Sequence, residues 1–227
     1  MDATTLRRRA FSGLAQLALV MALFIFVPAG TPRYWQGWAF LAVFVLASLL
    51  ITRSLLRRDT ALLERRLRAG PAAESRPLQK LIQAVAGLAF LSTLAVPALL
   101  YRLRGAQLPP AVSWVGDGLV ALGFEIIARV FAANTFTAAT VEVSAQQSVV
   151  TTGPYAIVRH PMYSGALVLF LGAPLALGSA WGLCASLALA LALAWRILDE
   201  EKLLSRDLAG YDAYRLQTRY RLIPGVW

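Results

Sequence analysis

The chain has 227 residues, 58% of them hydrophobic and only 15% charged, whereas a soluble domain of this length carries roughly a quarter charged residues. One histidine and one cysteine exclude an intramolecular disulfide and a His/Cys-rich metal centre. The net charge of +10 would suit nucleic acid, but the basic residues sit at the ends of apolar runs, which excludes that class and indicates a polytopic membrane protein.

Six apolar segments are long enough, or nearly so, to cross a bilayer as helices: residues 11–27, 35–51, 81–100, 112–131, 162–177 and 180–195. Arg7, Arg8 and Arg9 precede the first, which reads as an uncleaved anchor rather than a cleaved leader. The stretch PAGTPRYW turns the chain into the second span, with Tyr34, Trp35 and Trp38 as interfacial aromatics. The long loop that follows begins as a basic amphipathic helix, with Leu55, Leu56, Leu62, Leu63 and Leu67 on one stripe, until GPAAESRP breaks it. Cys184 lies within the last apolar run and reads as a small buried hydrophobe.

The fourth span carries Asp117, then Glu125 and Arg129 four residues apart, a spacing that predicts an ion pair facing the bundle interior. Residues 134–158 are rich in Thr, Ser and Gln, so they lie outside the lipid or line a polar cavity. Of the 22 basic residues, 19 fall on the side that holds both termini. That asymmetry predicts an all-α, polytopic transmembrane helical bundle of five to six spans, the last two a hairpin, with both termini cytoplasmic. The chain forms a single membrane domain, with N-terminal spans and the amphipathic loop in residues 1–133 and the site region in 134–227.

Three polar features gather on the cytoplasmic side. TTGPYAIVRHPMYSG places His160 just before Pro161, which suits the first turn of a helix, and flanks it with Tyr155 and Tyr163. WRILDEEKLL puts Arg196 and Glu200 on one helix face, with Glu201 one step round. GYDAYRLQTRYRLIPGVW is an aromatic and basic tail able to cap a site. No phosphate loop, nucleophile elbow or HExxH motif occurs. The residues alone indicate a pocket suited to a zwitterionic, aromatic ligand.

GPYAIVRHPMYSG, followed one helical hairpin later by RILDEEKLL and then GYDAYRLQTRYRLIPG, resembles the isoprenylcysteine carboxyl methyltransferase family and the related phospholipid N-methyltransferases. The resemblance covers about residues 134–227. It implies S-adenosylmethionine as cofactor, contacted by Gln147, Ser148, Val149, Val150, Tyr155, His160, Pro161, Met162, Tyr163 and Glu200. It implies catalytic roles for Arg196 and Glu200, with Arg196 facing the substrate. It also implies a lipid-linked or lipophilic small-molecule acceptor, membrane lipids as surroundings, and no nucleic acid or metal. Gln147 stands where the family often has histidine. The reading that results is methyl transfer to a membrane-partitioned carboxylate in a bacterial inner membrane. The alternatives are an amine acceptor on a phospholipid, or a non-catalytic membrane protein on the same scaffold.

Overall fold

The computed structural model describes residues 1–67, 74, 76–137 and 147–227. Among these, the secondary structure is helical: α1 (Ala3–Ala29), α2 (Trp35–Arg58), α3 (Thr60–Leu67), α4 (Pro77–Arg104), α5 (Pro110–Ala133), α6 (Pro161–Ala176), α7 (Leu183–Asp207) and α8 (Tyr211–Gln217). Helices α1, α2, α4 and α5 are each long and apolar enough to cross a membrane. The bundle is therefore that of a polytopic integral membrane protein, and every one of the six apolar segments is a helix.

The last two apolar helices depart from simple spans for identifiable reasons. Pro161 opens α6 at its first position, and Pro174 and Gly178 close it, leaving 16 residues or about 24 Å. α7 is apolar only to Trp195; Arg196, Asp199, Glu200 and Glu201 then carry its last three turns out of the apolar layer. Cys184, expected to be buried, is exposed on the outer face of α7's first turn, away from the Ser186 and Leu189 side that packs inward.

What fixes α6 is a seam of glycines with α5. A Cβ on Gly116 would lie 2.1 Å from the Ala176 backbone nitrogen, and one on Gly123 would lie 2.6 Å from the Gly165 carbonyl. Gly165 and Gly172 press back against Gly123 and Gly116, so the helices run antiparallel with backbones in contact, as small residues allow in membranes. Because Gly165 sits beside Gly123, α6 begins level with about residue 127. That is roughly 9 Å short of the end of α5. The recess this leaves is where the polar residues collect.

Both termini lie on this recessed face. The N-terminal ammonium approaches Glu64 of α3, and the tail pairs with the start of α6. Asp59 ends α2 and accepts a hydrogen bond from the Leu62 amide (2.8 Å), turning the chain directly into α3. Leu62 and Leu63 then bury against Leu6, Ala10, Leu55 and Phe131, the amphipathic stripe expected. On the opposite face, the Tyr34 hydroxyl bonds the Leu177 carbonyl and holds the α1–α2 turn against the end of α6.

Glu125 and Arg129 correct the sequence reading. They do pair (2.8 Å), but the side chains are 55% and 71% exposed, on the outer surface of α5. The inward face of α5 is Ser113, Gly116, Asp117, Val120, Gly123 and Val130, and the pair lies off it. Close to the helix end, the long Arg129 side chain reaches the interface, so it needs no interior partner.

Candidate functional site

The recess above α6 holds a half-open cavity of about 110 Å³ lined by polar, apolar and aromatic side chains. Four pieces of chain line it: the end of α5 and its loop, residues 147–163, the last turns of α7, and α8. Every residue expected at the cofactor lies on its wall: Gln147, Ser148, Val149, Val150, Tyr155, His160, Pro161, Met162, Tyr163 and Glu200. Asn134, Leu204, Leu208, Tyr211 and Tyr214 complete it.

The rigidity of His160 begins in the backbone. The Arg159 and His160 amides donate to the carbonyls of Tyr220 and Arg221 (both 2.9 Å), so the tail adds a short extended pairing to the segment before α6. Ser164 strengthens it by donating to the Leu222 carbonyl (2.7 Å). The side chains follow. Glu201 receives Arg159 Nε (2.8 Å) and His160 Nε2 (3.3 Å) on one oxygen and Arg221 Nε (2.9 Å) on the other. Arg159 also donates to the Thr218 and Arg219 carbonyls. Glu201 is thus a buried hub joining α7, the start of α6 and the tail. With Nε2 facing Glu201, Nδ1 is the ring edge left for a ligand.

Burial alone would raise the Glu201 pKa. Hydrogen bonds from His160 and Arg221 and the Arg159 charge outweigh it and hold the carboxyl down to about 2, against an ordinary 4.5. A depressed carboxylate stabilises the fold above its unfolded pKa and ceases to do so below its folded one. The thermal midpoint of the purified protein is therefore expected to lose a Glu201-dependent increment as pH falls from about 4.5 to about 2. In Glu201→Gln that increment is absent. A midpoint with the same acid dependence in both proteins would contradict this.

Tyr163 organises the second half of the site. Its hydroxyl donates to Glu200 (2.6 Å) and accepts from Arg196 Nε (2.8 Å). Its ring lies 5.8 Å from that of His160 at a shallow 26°. Arg196 and Glu200 share a face as expected, but Tyr163 stands between them. Arg196 is buried behind the cavity wall, with Nη1 on Gln79 Oε1 (3.1 Å). Gln79 also donates to Asp199, which pairs with Arg76 (2.8 Å), so the start of α4 buttresses this layer.

Tyr155 and Tyr214 form the third element. Asn134 donates to the Tyr155 hydroxyl (3.0 Å), and the Tyr214 hydroxyl donates to the Tyr155 carbonyl (2.7 Å). Burial pushes both phenols up to about 12, so both remain neutral. Tyr211 is likewise pushed up by burial, and its hydroxyl finds no partner among the described residues. A polar atom orphaned on a cavity wall is one that a ligand would satisfy.

From α3, Arg66 reaches the same region. It lies over the Phe131 ring (5.1 Å) and donates to the Met162 sulfur (3.6 Å). Burial lowers its pKa, and Arg196 is close enough to lower it further. Sequence reasoning missed Asn134, Tyr211, Tyr214 and the partners Gln79 and Asp199, and named Glu201 only as a neighbour. For Tyr211 and Tyr214, the three-residue spacing in GYDAY was the available signal. For Gln79 and Asp199 no local signal exists.

The family model described as phospholipid methyltransferase matches residues 111–209, from the first turn of α5 to just past α7. No curated protein matches the chain.

Proposed function

With the match of residues 111–209 to the phospholipid methyltransferase family as the premise, we propose that the protein methylates a membrane-partitioned acceptor from S-adenosylmethionine, with a carboxylate as the favoured acceptor. The family points to membrane methyltransferase activity, and the cavity supports the cofactor. Its wall combines polar groups (Asn134, Gln147, Ser148, Glu200), apolar ones (Val149, Leu204, Leu208) and the aromatic Tyr155, a mixture suited to a nucleoside joined to an amino acid. The orphaned Tyr211 hydroxyl and the Nδ1 edge of His160 are further groups that would hold it. When bound, this cofactor supplies an electrophilic methyl group on a sulfonium sulfur. The arginine distribution supports a cytoplasmic cavity face.

The observation that supports the choice of acceptor is the presence of two guanidiniums near the Met162 edge of the cavity, Arg66 donating to the Met162 sulfur and Arg196, behind the wall, bonded to Tyr163. A carboxylate is ionised near neutral pH, so no base is required, and the protein must instead orient an anionic oxygen. Arginine forks suit that task. An amine would need deprotonation next to two cations. His160, tied to Glu201, acts here as a clamp on the cofactor rather than as a proton shuttle.

Calorimetric titration with S-adenosylhomocysteine tests the cofactor, and absence of heat from a folded sample would end the methyltransferase reading. Tritiated methyl transfer across lipid extracts, followed by alkaline hydrolysis, tests the acceptor. A methyl ester releases volatile methanol, whereas an N-methyl product retains its label and would replace the carboxylate reading. Arg196→Ala is expected to leave homocysteine-analogue affinity near wild type while lowering kcat/KM about a hundredfold. Loss of cofactor binding in that variant would contradict the assignment.

A further inference from the structure

The far end of α6, about 24 Å from the cavity, carries a second polar cluster that methyl transfer does not use. Gln36 at the start of α2 and Ser113 and Asp117 one turn apart on α5 are buried to 2%, 0% and 4% exposure. Four of their oxygens, Gln36 Oε1, Ser113 Oγ and both carboxylate oxygens of Asp117, have no hydrogen-bond partner among the described residues. All four are acceptors, or in the case of serine an oxygen able to accept. A buried carboxylate in an apolar bundle must either take up a proton or meet a compensating positive charge.

The surroundings form a fixed cradle. Gly178, with φ +71°, leaves open the point where a Cβ would stand, 3.5 Å from Gln36 Nε2 and 3.7 Å from Ser113 Oγ. Gln36 and Ser113 therefore border one small space, and a half-turn of the Gln36 amide, whose oxygen has no partner among the described residues, would present Oε1 there in place of Nε2. The loop around it is tied down on every side. The Gln107 and Leu108 amides donate to the Gly178 carbonyl, Ser179 Oγ donates to Gln107 Oε1 (2.9 Å), and Tyr34 bonds Leu177. Gly116, between Ser113 and Asp117, is pressed on the Leu175–Ala176 backbone, which holds α5 against the end of α6, with the buried Asp117 one turn from Ser113. The Trp35 and Trp114 rings, 5.3 Å apart, stand beside it where α2 meets α5.

We propose that Gln36, Ser113 and Asp117 bind a small monovalent cation of the sodium type, pinning the ends of α2, α5 and α6 together. A carboxylate, a hydroxyl and an amide carbonyl are the hard oxygen ligands such an ion takes. A single carboxylate balances one positive charge; a divalent ion would leave an excess charge in the apolar interior. The role is structural and independent of the methyl acceptor.

The test is thermal unfolding of the detergent-purified whole protein in sodium chloride against N-methylglucamine chloride at equal ionic strength, with retention of radioactive sodium measured alongside. Once sodium exceeds its dissociation constant tenfold, the expected rise in melting temperature is roughly 3–6 °C. Asp117→Asn should abolish both the rise and the retained sodium, and Ser113→Ala should weaken both. Glu125→Gln, on the outer surface of α5, should change neither. Equal melting in the two salts, or sodium retained as well by Asp117→Asn, would overturn the proposal. So would an Asp117→Asn protein that melts higher in both salts, since that marks a site filled by water or by a neutral acid. If neither variant folds, the wild-type salt comparison and sodium retention still decide.

Discussion

Glu201→Ala is expected to remove cofactor binding and a large part of the fold's stability together. The substitution strands Arg159, whose Nε it paired, and Arg221, and frees the His160 ring. Breaking a buried ion pair by deleting one partner typically costs about 3–5 kcal/mol, because the remaining charge stays buried and uncompensated. Two measurements separate the effects: the thermal midpoint in detergent, and S-adenosylhomocysteine affinity at a temperature where the variant remains folded. The neighbouring Glu200→Gln is expected to keep the midpoint near wild type, since its carboxylate accepts only from Tyr163 among the bonds described above. An alanine variant at 201 with normal analogue affinity would show that His160 needs no hub.

The second large effect lies in the α5–α6 seam. Gly116→Ala places a methyl 2.1 Å from the Ala176 nitrogen, and Gly123→Ala one 2.6 Å from the Gly165 carbonyl. Both clashes are with backbone, so no rotamer relieves them and the helices must separate. Overpacking of side chains costs about 1–3 kcal/mol; a backbone clash along a whole seam should exceed that and abolish folded, monodisperse protein. Gly87→Ala on α4, with nothing within 4 Å, is the matched control and is expected to be neutral or slightly stabilising. Recovery of folded Gly116→Ala with a wild-type midpoint would show that the seam does not hold the bundle.

The contrast between these two sites shows what a sequence can reveal. The six apolar helices were legible because each run is long and bounded by Pro, Gly or Arg, signals carried by near neighbours. The position of His160 was legible for the same reason, since Pro161 marks a helix start. Arg196 and Glu200 were correctly placed on one face, yet Tyr163 stands between them, because the third partner comes from another helix. The same holds for Gln79 and Asp199, 120 residues apart in sequence and hydrogen-bonded in space. The Glu125–Arg129 pair was misread by a rule about interior charges that takes no account of how near a helix end the side chains lie. The segments 68–73, 75 and 138–146, which include part of the loop expected to break after α3, lie outside the described residues.

The pairing of Arg159 and His160 with Tyr220 and Arg221 bears on the order in which the protein becomes competent. A growing chain releases α1 to α7 before the tail, so the bundle can insert while the backbone at its histidine is still unpaired. Glu201 on α7 holds the ring, but the backbone half of the clamp is made by Tyr220 and Arg221, which follow every membrane helix. A chain stopped after Thr218 would hold every membrane helix and still lack the carbonyls that order His160. Such a product would still insert its helices but would lack Arg221 at the Glu201 hub, so it should be inactive and less stable, whereas a seam variant should fail to assemble its bundle at all.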